Sequence, residues 1–278
     1  MLHISPIPAL SDNYFWLLTE HPLLSPTSLQ PVPAPQTAYI IDPGDGEAVL
    51  QVLQRYNLTL VGIFITHRHY DHVDGIRFLV EEYSTAHAPI PVYGPTTEAI
   101  PQITHPVFEG DTITLFEKHA LTVMETPGHT EEHLVYYSET ANNTPILFCG
   151  DTLFAAGCGR LMGGNAEQLH QSLQRLAALP DNTQVHCAHE YTLANLHFAQ
   201  AVEPNNSILD QRIADTIKDR ENDKPTVPFE LLQEKQSNPF LRVSESTVQA
   251  AVKQHWDKNH VLSEVDTFTL LRRWKDNF

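Results

Sequence analysis

The chain predicts an α+β protein: two packed sheets flanked by helices, followed by a separate all-helical region. Short apolar strand candidates recur through the first two thirds of the sequence with helices inserted singly, which favours two packed sheets over a regular alternation. From Tyr191 onward the pattern is wholly helical, with prolines marking the breaks. No internal repeat or heptad pattern competes with this reading.

Taken in order, residues 2–8, 13–18 and 38–41 read as strands, the last ending in the turn signal Asp42-Pro43-Gly44. Between the second and third, residues 21–36 are rich in proline and serine and support no packed face, so they read as an inserted surface loop. Val49, Leu50 and Leu53 share one side of a helix over 47–56. The run Leu60-Val61-Gly62-Ile63-Phe64-Ile65 is a buried strand. Ile76, Leu79, Val80 and Tyr83 recur at helical spacing and predict one helix over 73–83. Strands follow at 91–93, 112–116, 121–125, 134–138 and 146–149, then a helix over 166–178 and a last buried strand over 184–188. Helices are expected at 191–202, 207–219, 229–236, 246–256 and 264–275, interrupted by Glu203-Pro204 and Lys224-Pro225.

Composition narrows the class. A hydrophobic fraction of 41% and a charged fraction of 18% are those of an ordinary globular protein. There is no apolar run of membrane-spanning length and no signal-like start, so a soluble cytoplasmic protein without a membrane partner is expected. The net charge of -17, with no basic patch, argues against nucleic acid. Three cysteines, Cys149, Cys158 and Cys187, are too few and too unevenly spaced for a disulfide framework. Cys158, near Arg160 in sequence, is a candidate for an oxidation-sensitive thiol.

The chemistry centres on Thr66-His67-Arg68-His69-Tyr70-Asp71-His72, immediately after the buried strand. In an extended segment His67 and His69 share a face, and a turn then lets Asp71 and His72 supply a second set of donors. This is spacing for two adjacent metal ions. Imidazole and carboxylate donors without cysteine suit an open zinc, iron or manganese site rather than a closed structural zinc site. With 16 histidines in 278 residues, chance would produce three at these offsets roughly 0.05 times per chain.

Three further stretches put a metal-competent side chain at a strand end: Thr126-Pro127-Gly128-His129-Thr130, Phe148-Cys149-Gly150-Asp151-Thr152 and Val185-His186-Cys187-Ala188-His189-Glu190. Singly, each fits an ordinary hydrogen-bonded residue. Together and in this order they resemble the metallo-β-lactamase superfamily, which implies an αββα sandwich. The resemblance implies that His67, His69 and His129 bind one metal and Asp71, His72 and His189 the other, with Asp151 bridging.

Further motifs resemble the glyoxalase II (hydroxyacylglutathione hydrolase) family more specifically. They are Ser11-Asp12-Asn13-Tyr14, Gly150-Asp151-Thr152-Leu153-Phe154, Gly157-Cys158-Gly159-Arg160, His189-Glu190-Tyr191-Thr192, Asn238-Pro239-Phe240-Leu241-Arg242 and the tail from Arg272 to Phe278. This resemblance spans essentially the whole chain. It implies a catalytic metal-binding domain over 1–189 and a helical glutathione-binding domain over 190–278, with Arg160, Tyr191, Arg272 and Lys275 holding the peptide of the substrate. A solvated helix face is the plainer reading of Arg272 and Lys275. Local cations are nonetheless what a very acidic protein needs to hold an anionic peptide, and guanidinium clasps carboxylate bidentately. Met162 departs from the pattern, because some members of the family carry an aromatic residue there. His133, His186 and His197 are expected to be structural.

The implied reaction is hydrolysis of S-(2-hydroxyacyl)glutathione, such as S-D-lactoylglutathione, to glutathione and D-lactate, by a monomer in methylglyoxal detoxification. Two divalent ions, zinc foremost with iron or manganese open, would bring a shared water to hydroxide, and Asp71 would aim it at the thioester. Within the fold, a glutathione persulfide dioxygenase or a lactonase are the competing readings. The complete donor set and the helical tail oppose the first, and the purpose of Arg160, Tyr191, Arg272 and Lys275 opposes the second.

Overall fold

The computed structural model describes residues 1–23, 36–85, 88–139 and 144–278, so most of the proline-rich stretch 21–36 lies outside the described residues. The chain packs as two compact units, one made of residues 1–125 and 132–145 and the other of 126–131 and 146–278.

In the first unit, strands β1 (His3–Ala9), β2 (Asn13–Thr19) and β3 (Gln36–Ile41) run antiparallel in sequence order. Helix α1 (Gly46–Arg55) leads to β4 (Leu58–Phe64), the short α2 (Tyr70–Val73), α3 (Ile76–Tyr83), β5 (Val92–Gly94) and β6 (His105–Pro106), and β3 to β6 pair in parallel. Parallel strands covered on both faces read as continuous apolar runs, as β4 does. One face of this sheet buries Phe15, Leu17, Ile40, Leu60 and Ile63 against Val49 and Leu53 of α1 and Ile76 and Leu79 of α3. The carboxylate of Asp45 starts α1 by accepting from Glu47 N and Ala48 N at 3.0 and 3.1 Å.

The other face meets a second sheet, in which β7 (Thr112–Leu115), β8 (His119–Glu125) and β9 (Leu134–Ser138) are antiparallel. Phe64 of β4 meets Tyr136 of β9 edge-on at 5.1 Å, and the Tyr136 hydroxyl donates to the Ile65 carbonyl at 2.7 Å. The expected sheet-on-sheet packing is therefore present. The single helix expected over 73–83 is split, because Gly75 N donates to the Pro43 carbonyl instead of continuing a helix begun at Tyr70.

The second unit opens on β10 (Ile146–Gly150), followed by the tight hairpin β11 (Leu153–Phe154) and β12 (Gly157–Cys158). Then come α4 (Ala166–Ala177), started by a reciprocal Asn165–Gln168 cap, and β13 (Gln184–Cys187), parallel to β10. Helices α5 (Thr192–Val202) and α6 (Ser207–Glu221) follow, then β14 (Phe229–Glu230), α7 (Leu231–Ser237), α8 (Ser246–His255) and α9 (Glu264–Lys275). The tail is thus not wholly helical: Phe229 and Glu230, expected to begin a helix, pair antiparallel with Val185 and Gln184 instead. Phe198, Phe240, Phe268 and Leu271 make the buried centre of the helical tail.

Candidate functional site

The donor loop is fixed by the strand that precedes it. After β4 the chain stays extended through His69, and His67 Nε2 lies 2.9 Å from His69 Nδ1, so the two ring nitrogens face one point. Helix α2 then carries Asp71 and His72 in its single turn, with His72 Nε2 at 3.7 Å from Asp71 Oδ2. Gly44 is required beneath this loop, since a Cβ there would sit 1.9 Å from the Asp71 carbonyl oxygen.

Behind the loop, Asp42 organises the donors. Its Oδ2 lies 3.0 Å from His72 Nδ1 and accepts from the Thr66 hydroxyl at 2.7 Å, while its Oδ1 accepts from Thr66 N at 2.7 Å. With its proton given to Asp42, Thr66 Oγ1 accepts from His67 Nδ1 at 3.0 Å. His67 therefore carries the proton on Nδ1 and turns a lone pair outward on Nε2, as a metal ligand must. Asn13 Nδ2 donates to Asp71 Oδ2 at 3.0 Å. His133 stacks on His67 at 4.8 Å, in keeping with a structural role.

The second unit carries the other three donors, one on the 126–131 turn and two just after strands. Asp151 and His189 follow β10 and β13, whose parallel register pairs Gly150 with Cys187 and brings the two side chains side by side. His189 Nε2 lies 3.3 Å from Asp151 Oδ1, and His129 Nε2 lies 3.4 Å from Asp151 Oδ2. His129 Nδ1 donates to the Arg160 carbonyl at 2.7 Å, so its Nε2 too is the lone-pair nitrogen. Gly159 lets the chain pass close by, because a Cβ there would meet the Asp151 carbonyl oxygen at 2.1 Å.

All seven expected donors are among the described side chains able to hold a metal ion. Buried imidazole nitrogens and carboxylate oxygens fit divalent cations of intermediate hardness. Sulfur takes no part. Burial pushes the thiol of Cys187 up to about 12 and that of Cys158 to about 11, and raises that of Cys149 well above its ordinary value. Cys158 is accordingly a protonated, buried thiol rather than the oxidation-sensitive group its neighbourhood in sequence suggested.

Asp151 and His129 open into a cavity of about 540 Å³ within the second unit, whose lining includes Arg160, Tyr191, Arg272 and Lys275. Tyr191 stacks flat on His189, with ring centres 4.7 Å apart. Arg160 is exposed at the rim. Arg272 is not on a solvated helix face: it is buried, lies over the Phe240 ring, and donates to the Cys158 carbonyl at 2.9 Å and from Nε to Asp276 Oδ1 at 3.2 Å. Lys275 lies over the Phe198 ring and donates to the Ala194 carbonyl at 3.1 Å. Burial, reinforced by the charges of Arg272 and Arg160, holds its ammonium down at about 8. Met162, the departure from the family pattern, also lines the cavity.

Sequence reasoning missed Asp42 and Thr66 and quoted Asn13 without a role. The available signal was the one that found Asp151: a carboxylate directly after an apolar strand.

Two family models match the chain. The metallo-β-lactamase superfamily covers residues 34–189, and the hydroxyacylglutathione hydrolase C-terminus covers 190–278. A hydroxyacylglutathione hydrolase of Aliivibrio salmonicida is 45% identical over 278 residues, covering all of both chains, and one of Shewanella halifaxensis is 44% identical over 280 residues, again covering both fully. Among solved structures, ETHE1 from Myxococcus xanthus covers the whole of both chains with a TM-score of 0.59 at 22% identity, a likeness of fold. The described residues contain no helix long and apolar enough to cross a membrane. Full-length identity at this level, together with both family models, makes the chain a member of the hydroxyacylglutathione hydrolase family within the metallo-β-lactamase superfamily.

Proposed function

We propose that the protein hydrolyses the thioester of an S-(2-hydroxyacyl)glutathione, S-D-lactoylglutathione first, releasing glutathione and a 2-hydroxy acid such as D-lactate as a step in methylglyoxal detoxification. The observation that carries this reading is the cavity, where two metal-competent side chains, His129 and Asp151, share a wall with Arg160, Tyr191, Arg272 and Lys275. We assign His67, His69 and His129 to one divalent ion and Asp71, His72 and His189 to a second, with Asp151 between them. The superfamily match supports this, since it runs through both donor sets. So do the outward-facing Nε2 atoms of His67 and His129. Zinc is the first choice, with iron and manganese accepted by the same donors.

When bound, such ions bring water to hydroxide near neutral pH and take up the charge that grows on the carbonyl oxygen. Asp71, steadied by Asn13, accepts a hydrogen bond from the attacking water and aims its oxygen at the thioester carbon. Tyr191 braces His189 from behind. The cations of Arg160 and Lys275 draw in the glutathione carboxylates, which the acidic bulk of the protein would otherwise repel. Thiolate is a good leaving group, so no strong general acid is needed. A single chain carries every residue named, so a monomer suffices. A reducing cytosol suits its three free cysteines.

The test is to follow loss of S-D-lactoylglutathione thioester absorbance with purified protein. Turnover that stops with a chelator and returns with zinc is expected; metal-loaded protein that leaves the thioester intact would overturn the reading.

A further inference from the structure

The β11–β12 hairpin is held in an unusual way. It begins two residues after Asp151, pairs Leu153 with Cys158 and Phe154 with Gly157, and gives Phe154 and Cys158 to the cavity wall. Side chains of the helical tail add further bonds to its buried backbone groups. Asn238 Nδ2 donates to the carbonyls of Phe154 and Gly157 at 3.3 and 2.9 Å, and Asn195 Nδ2 to that of Ala155 at 3.0 Å. Ala156 N donates to Glu234 Oε2 at 2.7 Å, and Arg272 Nη1 to the Cys158 carbonyl at 2.9 Å. Each residue from 154 to 158 is thus gripped from outside the hairpin. At the centre, Asn238 donates to Glu234 at 2.9 Å, Glu234 pairs with Arg212, and both Asn238 and Glu234 are fully buried.

We propose that Asn238 and Glu234 are positioning residues that set the 153–158 turn, and through it the shape of the cavity wall that meets the substrate. The kinetic part rests on the hydrolase reading above. Removing the Asn238 amide takes away its two bonds to the turn, which favours local opening of the turn and uncovers Cys158.

The experiment compares the full chain with Asn238→Ala, with Asn195→Ala, which removes one bond to the turn and serves if the first variant does not fold, and with the control Asn206→Ala. Asn206 caps α6 and bonds the Gln236 carbonyl rather than any group of the turn. The native labelling rate of each of Cys149, Cys158 and Cys187 by a maleimide is read by peptide mass, alongside kcat and KM for S-D-lactoylglutathione. All three thiols start buried. Asn238→Ala should label Cys158 about 10-fold faster and Asn195→Ala about 3-fold faster, with Cys149 and Cys187 unchanged. KM should rise about 5-fold in Asn238→Ala with kcat within twofold. The control should leave every reading as in the parent. Cys158 labelling no faster than in the parent overturns the proposal, as do three thiols rising together or an equal effect in the control. Labelling needs no substrate, so it judges the positioning role independently of the hydrolase reading.

Discussion

The donor loop and the cavity donors are built in opposite ways. His67, His69, Asp71 and His72 come from one contiguous stretch, aimed by a strand end and by Asp42 beneath it. His129, Asp151 and His189 come from three separate stretches, brought together by the parallel register of β10 and β13 and by the bond from His129 to the Arg160 carbonyl. The first set depends on local conformation and the second on long-range pairing. A change behind the first should therefore weaken a set that still exists, whereas a change within the second should remove it.

Asp151→Ala tests the stronger half of that contrast. Both neighbouring imidazoles lose the carboxylate between them, and kcat should fall by about 10³-fold or more with loss of bound metal, measured by turnover and metal analysis together. Full activity with metal retained would refute the bridging role.

Asp42→Ala leaves every donor in place and removes only the carboxylate that bonds Thr66 and lies beside His72. Metal affinity should weaken by about 10- to 100-fold, read by chelator competition, with the fold intact by circular dichroism. An unchanged affinity would mean that the loop aims itself.

Arg272→Ala acts farther out. It removes a bond to the cavity wall and a buried cation, so KM for the glutathione thioester should rise about 10-fold with kcat little changed. A fall in kcat alone would sink the binding role.

The smallest effect is a pH dependence. Burial holds Lys275 at about 8, below its ordinary value of 10.5, so its charge is present below pH 8 and lost above it. KM should climb a few-fold as the pH passes through 8, and Lys275→Arg should flatten the profile. The same depressed value sets the sign for stability. At and below pH 8 the folded state carries a charge that burial disfavours, and this penalty is relieved as the pH rises from 8 toward the unfolded value. A thermal melting series across that range reads it.

Legibility in the sequence followed the range of the interactions. The pairing of His67 with His69 could be read from alternation along an extended segment, and α1, α4 and α9 from periodicity and caps, since each rests on residues a few positions apart. Asp42 was missed because its neighbours Thr66 and His72 lie far along the chain, one just after β4 and the other in α2. The break before α3 depends on a carbonyl at Pro43, and the strand at Phe229 on an edge that β13 offers. Neither is encoded nearby. Arg272 is the sharpest case: a terminal charge run looks solvated until Phe240 and the Cys158 carbonyl close over it.

The histidine-rich donor loop, the two-sheet layering and the acidic character that calls for local cations could be read from the residues alone, because they depend on chemistry and short-range geometry, whereas His129, Asp151 and His189 were singled out by the resemblance to a known family. Which nitrogen of His67 and of His129 faces outward, the depressed charge of Lys275 and the grip on residues 154–158 were decided only in three dimensions. Each depends on a partner far away in the chain, and a buried polar group takes its properties from whatever neighbour satisfies it.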